Sequence, residues 1–391
     1  MKFSRERPNP THYAFASDHK SLSLPVMSHR GQLLRLPPNR VWRTYPGGRT
    51  LDALAGAAAP ADTHLAEDWI ASTTRATNRG REEILEGVSQ VLVGSDPTPR
   101  DFATLLAGDP EYFLGAAHVE KYGAQPQLLV KFLDSGTRLH FQVHPTREFA
   151  RRVLGAPSGK TEAYYVLGSR EVAGPEPTGY IYVGFQRPPS PAQLRDYILT
   201  QDIAAIEACF DKIAVRPGDT FIIPGGTPHA LGAGLFLVEI QEPSDLVVRF
   251  EFERAGYVLP EAARFMNRDV DFALSVFNLA PLTPADLESR VRCQPRRVRD
   301  LGPGSFQEEL IGPEQTDCFR VARTHLAAPV VKDETGAVIA IVTRGDLIVE
   351  VGGERHPLHT YEKFFLPAEI GPVKFFPTGG DAEILECRPP I

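Results

Sequence analysis

The chain has 391 residues, 42% apolar and 23% charged, ordinary values for a globular protein and, at ~150 residues per domain, enough for two or three domains with real cores. A formal net charge of -7 with no dense Lys/Arg block excludes a polyanion-binding face, so no nucleic-acid partner is expected, and no run of ~18 apolar residues could cross a membrane. The cysteines Cys209, Cys293, Cys318 and Cys387 are far apart and form no C-x-x-C pair, which argues against a disulfide framework or a cysteine-rich metal site; with a polar first 30 residues, the expectation is a reduced, cytoplasmic protein.

Taken in chain order, residues 1–30 have weak patterning and read as an N-terminal arm. Short apolar runs broken by Pro and Gly follow from Leu33 to Ala71. From Arg81 to Val119 the spacing of Ile84, Leu85 and Val88, and of Phe102, Leu105 and Leu106, predicts helix. Leu128–Leu133 is a short apolar run, and Arg138–His144 alternates as a strand does. Thr146–Leu154 reads as a short helix or turn. Strands are predicted at Ala163–Leu167 and Tyr180–Phe185. A helical insertion over 190–210 follows, opened by Ser190 as N-cap and Pro191. Further strands are predicted at Lys212–Val215, Thr220–Ile223, Leu235–Gln241 and Leu246–Phe252. Residues 255–300 read as mixed, partly helical connections. Short strands return at Phe319–Leu326, Val338–Thr343, Asp346–Val351, Tyr361–Leu366 and Ala382–Cys387. With 33 glycines and 35 prolines between them, these runs predict a mainly β chain of two antiparallel barrels with a smaller helical region around the first. The expected division is an arm at 1–30, a first barrel domain at 31–280 with helical insertions near 81–119 and 190–210, a connection at 281–304 and a C-terminal β-barrel domain at 305–391.

Chemistry concentrates in the first barrel. In a strand, Gln142 and His144 point to one face. Lys160 and Glu162 precede the next strand, and His229 follows a Gly-rich turn. Two imidazoles, a carboxylate and an amide form a plausible N/O metal site with room for water. The spacing alone leaves a second reading open, in which these are hydrogen-bonded core or surface histidines. His356 and His359 also resemble a metal pair, but Pro357 favours a turn there.

The runs "LLVKFLDSGTRLHFQVHP", "GKTEAYYVL" and "VRPGDTFIIPGGTPHALGAGLFLVEIQEPSDLVVRFEF", in that order, resemble the type I phosphomannose isomerases of the cupin superfamily. The likeness extends weakly back to "HLAEDWIAS" and forward to "FFLPAE". It implies jelly-roll barrels and an aldose–ketose isomerase interconverting mannose 6-phosphate and fructose 6-phosphate. It implies one zinc ion per chain, on Gln142, His144, Glu162 and His229. It places the catalytic arginine at Arg249, acidic residues at Glu239 and Asp245, and a pocket lysine at Lys160. Such a reaction passes a proton between adjacent carbons through an enediol. A cation must stabilise oxygen charge, and an acid/base must carry the proton. Glu239 is the preferred acid/base; Asp245 and a metal-bound water are its rivals. Two positions depart from the family. His140 stands where many members carry a small hydroxyl residue near the substrate phosphate, and Arg254 replaces a lysine shortly after the catalytic arginine. These departures keep two alternatives in play: an isomerase of a related or unphosphorylated sugar, and a non-catalytic metal-containing sugar-binding cupin. The expected partner is a small sugar or sugar phosphate.

Overall fold

Leu129–Asp134 and Leu235–Gln241 are apolar on both strand faces apart from Lys131, Glu239 and the terminal Asp134 and Gln241, the signature of a sheet buried on both sides. The computed structural model, which describes residues 29–78, 80–173, 177–333 and 335–390, shows what buries them. Seven antiparallel strands run in the order Arg292–Cys293, Thr220–Ile223, Glu162–Ser169, Leu235–Gln241, Leu129–Asp134, Glu67–Ile70 and Arg40–Val41. One face, carrying Leu133, Tyr164, Val166, Phe221 and Leu237, packs on a five-stranded sheet through Ile181, Val183, Ile213 and Leu231. That sheet is ordered Ile213–Ala214, Tyr180–Val183, His229–Leu231, Gln142–Val143 and Val248–Arg249. The opposite face, with Val130, Phe132, Ala163, Val238 and Ile240, packs on Phe319, Val321, Ile339, Ile341 and Leu385 of the C-terminal half.

The C-terminal strands form an 11-stranded antiparallel sheet that also takes in Leu34–Arg35, Gln90–Val93 and Arg100–Asp101 from the N-terminal part of the chain. Val338–Val351 is a single 14-residue strand bent by register shifts, where the sequence predicts two strands. Its bend falls at Gly345, in the left-handed region (φ 71°). The chain is thus mainly β, but none of its sheets closes into a barrel by backbone pairing among the described residues. The predicted arm lies almost wholly outside the described residues. No helix among the described residues is long and apolar enough to cross a membrane.

Four predicted elements take another form. Residues 81–89 are not helical: Ile84 and Leu85 are exposed, and the segment folds back so that Ala76 N–H donates to the Glu86 carbonyl and Ser89 N–H to that of Ser72. The reversal needs Gly87 (φ 98°), since a Cβ there would lie 2.6 Å from the Thr74 carbonyl oxygen. Helix begins only at Phe102, behind an Asp101 cap that accepts from Thr104 N–H at 2.7 Å. Arg138–Phe141 and the flanks of Val248–Arg249 leave the ladder because buried side chains take their backbone groups, as when Glu251 accepts the Phe141 N–H. His356 and Pro357 lie in a strand, Glu354–Leu358, instead of a turn; it pairs on one side only, which is where a proline is tolerated.

Candidate active site

Three ligand-bearing segments are pinned together at their backbones. Gly226 N–H donates to the His144 carbonyl at 2.7 Å and Lys160 N–H to that of Pro145 at 3.0 Å. Gly159 and Gly225 flank the Pro145–Thr146 turn so closely that a Cβ on either would fall within 2.8 Å of its backbone. In the five-stranded sheet, His229, Gln142 and Arg249 are direct cross-strand neighbours. In the seven-stranded sheet Glu162 is opposite Gln241, and Glu239 is opposite both Lys131 and Tyr164. The two rows face each other across the interior.

The result is a buried donor set. Ligand atoms of His144, Glu162 and His229 all lie within 4.8 Å of one another. Glu162 Oε1 is 2.9 Å from His229 Nε2, and Oε2 is 3.3 Å from His144 Nε2. The Gln142 amide is 3.2 Å from His229 Nε2. Each imidazole turns Nδ1 to a backbone carbonyl at 2.8 Å, His144 to Leu246 and His229 to Thr227. Nδ1 therefore donates to the backbone and Nε2 of each ring is turned toward Glu162, the orientation that presents histidines to a cation. Burial, then Lys160, pushes the His144 pKa down to about 3, so its ring is neutral. Burial works to raise the Glu162 pKa, but Lys160 and the two histidines outweigh it and hold the carboxylate ionised. The Lys160 ammonium already sits against this set, 2.9 Å from His144 Nε2 and 2.7 Å from Glu162 Oε2. The residues thus fit a divalent ion: two imidazoles, a carboxylate and an amide around one point.

Next to the donor set, charge alternates without a break. Glu239 Oε1 is 3.4 Å from Lys160 and 3.2 Å from Lys131; Lys131 is 3.3 Å from Glu67; Arg43 is 3.3 Å from Glu67 and grips Asp245 through both guanidinium nitrogens at 3.0 and 3.1 Å. Glu67 also accepts from Tyr45 OH and Trp69 Nε1. Two carboxylates in this row differ sharply. Burial opposes ionisation of Glu67, yet Arg43 and Lys131 pull its pKa down to about 2. For Glu239 burial prevails over both lysines and raises the pKa; the two ammoniums lie within ion-pair distance of its Oε1, but neither is aligned to donate a hydrogen bond to it.

The sequence-derived residues separate accordingly. Gln142, His144, Lys160, Glu239, Asp245, Arg249 and His140 line one inner cavity of about 20 Å³, with Glu162 and His229 behind it. Arg249 also lines an outer cleft of about 530 Å³, so its half-buried guanidinium stands at the throat between the two. Its one hydrogen bond runs to the Ala263 carbonyl, and no carboxylate pairs with it among the described residues. Burial and the neighbouring Arg43 lower its pKa to about 10, which still leaves it charged at neutral pH. Asp245 is committed elsewhere: beyond Arg43 it accepts Thr77 N–H at 3.0 Å, and although burial opposes ionisation, Arg43 holds its pKa well below the usual carboxylate range. His140 is buried with Nε2 unpartnered, and burial followed by Arg249 pushes its pKa down to about 3. Arg254 does not line the cavity; it donates to the Arg138 carbonyl at 3.3 Å from a two-residue strand.

Arg43, Tyr45, Glu67 and Lys131 were not among the residues singled out from the sequence. A signal for Lys131 was present, as a lone cation inside an otherwise continuous apolar strand, where an unpaired charge is not tolerated. Nothing local marks Arg43 or Glu67, which reach the site from a loop and a strand far upstream of the ligands in the chain.

No family model matches the chain. It is 29% identical to the mannose-6-phosphate isomerase of Streptococcus mutans serotype c over 284 residues, 71% of this chain and 80% of that protein. It is 32% identical over 246 residues to the protein named putative mannose-6-phosphate isomerase YvyI of Bacillus subtilis strain 168, covering 62% of this chain and 69% of that one. Among solved structures, mannose 6-phosphate isomerase from Bacillus subtilis superposes with a TM-score of 0.68 at 20% identity, over 91% of this chain and 99% of that chain. A mannose 6-phosphate isomerase bound with zinc and yttrium superposes with a TM-score of 0.64 at 16% identity, over 92% and 99%. With sequence likeness across two-thirds of such a relative and the fold shared along nearly the whole chain, the protein belongs to the mannose-6-phosphate isomerase family, a family of aldose–ketose isomerases.

Proposed function

We propose that the chain interconverts mannose 6-phosphate and fructose 6-phosphate by proton transfer between the two reacting carbons of an enediol, in a cupin-type jelly roll that holds one zinc ion. The observation that carries this reading is the convergence of His144 Nε2, His229 Nε2 and Glu162, with the Gln142 amide beside them, on the cavity that Arg249 and Glu239 line. A divalent ion held by these four residues would polarise the sugar oxygens at the reacting carbons.

The remaining chemistry falls to the chain's own side chains. The sugar enters by the outer cleft, past Arg249, whose permanent positive charge stabilises the oxygen charge of the enediol. Glu239 is the group that carries the proton: burial raises its pKa toward the range where it can both accept and donate, and Lys131 and Lys160 keep that rise in check. Lys160 reaches both the donor set and Glu239, so it occupies, and on moving aside lines, the place that the reacting end of the sugar takes between them. Asp245 positions Arg43, which in turn holds Glu67 against Lys131. The inner cavity has room for about one water, so the sugar's reacting end must displace the Lys160 ammonium from its present seat.

One observation supports a second reading, isomerisation of an unphosphorylated sugar: His140 is neutral and bulky where relatives are expected to hold phosphate. The test is solvent-proton exchange at C1 and C2, followed by NMR in D2O, on the zinc-loaded protein with mannose 6-phosphate and with free mannose. Exchange with the phosphorylated sugar is expected. Exchange only with the free sugar selects the second reading, and exchange with neither leaves a sugar-binding protein without turnover.

A further inference from the structure

The inner face of the C-terminal sheet is apolar through Leu326, Val330, Ala382 and Ile384 and then becomes charged at one end. The same faces of the same strands continue as Thr324, Ala322 and Arg320 on one, Glu386 and Arg388 on the next, and Lys332 on a third. Ala322, Arg320, Arg388 and Lys332 line a cavity of about 220 Å³ together with Arg299, Gln307, Glu309 and Asp333, and Thr324 and Glu386 are bonded to each other beside it.

Its charges do not balance as those of the active site do. Glu386 is saturated: Lys332, Thr324, Gln307 and Arg388 all donate to it. Glu309 is taken by Arg296 on the neighbouring strand. Arg320 has no carboxylate within ion-pair distance among the described residues, and its Nε is buried with no hydrogen-bond partner. Its direct cross-strand neighbour is another guanidinium, Arg388. Like charges directly opposite one another in an antiparallel pair are destabilising, and a buried unpaired N–H adds to the cost. Two guanidiniums side by side in a cavity form the fork that tetrahedral and planar oxyanions match.

We propose that this cavity in the C-terminal sheet is a second binding site, separate from the active site, and that it takes a phosphate group between Arg320 and Arg388. Asp333 lies on the rim and selects against larger polyanions that would have to pass it.

The full-length protein is titrated with sodium phosphate at constant ionic strength, using chloride as the reference salt. Binding is read by calorimetry and by the thermal unfolding midpoint. Phosphate is expected to raise the midpoint of the wild type. Arg320→Gln is expected to lose at least ~10-fold in phosphate affinity, the scale for removing one partner of a buried charge contact, while its midpoint without phosphate stays level or rises because the like-charge contact is gone. Arg320→Lys, which keeps the charge but not the fork, should fall between the two and serves if Arg320→Gln does not fold. Arg249→Gln, altered at the active-site throat, should retain the response. Glycerol 2-phosphate replaces the inorganic ion in a parallel titration: tighter binding assigns the site to phosphate monoesters, weaker binding to the free ion. A response in Arg320→Gln and Arg320→Lys equal to the wild type, or one lost in Arg249→Gln alone, overturns the proposal.

Discussion

The two β halves of this molecule treat the same place in opposite ways. Each has a sheet whose inner face is apolar for most of its length and polar at one end. In the N-terminal half the polar end holds Glu162, Lys160, Glu239, Lys131, Glu67, Arg43 and Asp245, each charge between charges of the other sign. In the C-terminal half Glu386 pairs with both Lys332 and Arg388, and Arg320 has no carboxylate partner among the described residues. Both halves supply buried cations, but among the described residues only the N-terminal half brings two imidazoles and a carboxylate to one point. An apolar sandwich with a polar end is therefore a scaffold; which ligand it accepts depends on the few side chains that replace core residues there.

The largest effect is expected at the donor set. His144→Ala should abolish stoichiometric zinc by elemental analysis and lower isomerase activity by at least ~10³-fold, since the remaining ligands no longer close around an ion. The same substitution would sharpen the contrast between the halves by leaving phosphate binding at Arg320 intact. If zinc content is unchanged, the donor set has been wrongly assigned.

Next come the two buried lysines. Lys131→Met removes one of the cations held against Glu67 and Glu239, and Lys332→Met one of those on Glu386; each should cost about 1.5–3 kcal/mol in urea denaturation, the range for losing a hydrogen bond to a charged group whose other partners remain. Only Lys131→Met should also depress turnover. Equal loss of turnover in both would erase the distinction drawn between the two halves.

Acid should act on both halves alike. Burial opposes ionisation of Glu67 and Glu386, but their cationic partners bring each pKa down to about 2. A carboxylate with a depressed folded pKa contributes stability that is fully present above its unfolded pKa and is lost as pH falls through the folded one. Unfolding free energy should therefore be level above about pH 5 and decline steadily toward pH 2. Glu386→Gln should flatten part of that decline; an acid limb identical to the wild type would show that this pair is not responsible.

A smaller effect is expected at Glu242, which accepts Thr161 N–H at 3.0 Å and Arg147 Nε at 2.7 Å and so holds the turn between Lys160 and Glu162. Glu242→Gln should cost about 1–3 kcal/mol of stability and reduce kcat more than it raises KM. Smallest of all, His359→Ala, on an exposed side chain of the C-terminal half, should leave zinc stoichiometry and turnover unchanged. Loss of metal in that variant would move the ion to the other half.

How much of this could be read from the chain alone depended on range. Thr220–Ile223 and Leu235–Gln241 match their predicted bounds because an apolar run flanked by Pro-Gly and Gly turns is a local signal. Gln142, His144, Glu162 and His229 stood out by residue type and order, and the structure brings them together. The helix expected from Arg81 failed because Ile84 and Leu85 have the spacing of a buried face but nothing to bury it against. Asp245 was read as a rival proton carrier because nothing near it in the sequence announces Arg43, some 200 residues away, whose fork takes both its oxygens.

The sequence by itself determined the strands, the turns between them and the kinds of donor available, since each follows from the conformational preferences and chemistry of neighbouring residues. The tertiary structure alone decided which carboxylate is locked and which can take a proton, that Arg249 guards a throat, and that Arg320 faces Arg388. Ionisation and pairing depend on burial and on charges a few ångströms away, and those neighbours come from segments that meet only when the sheets pack.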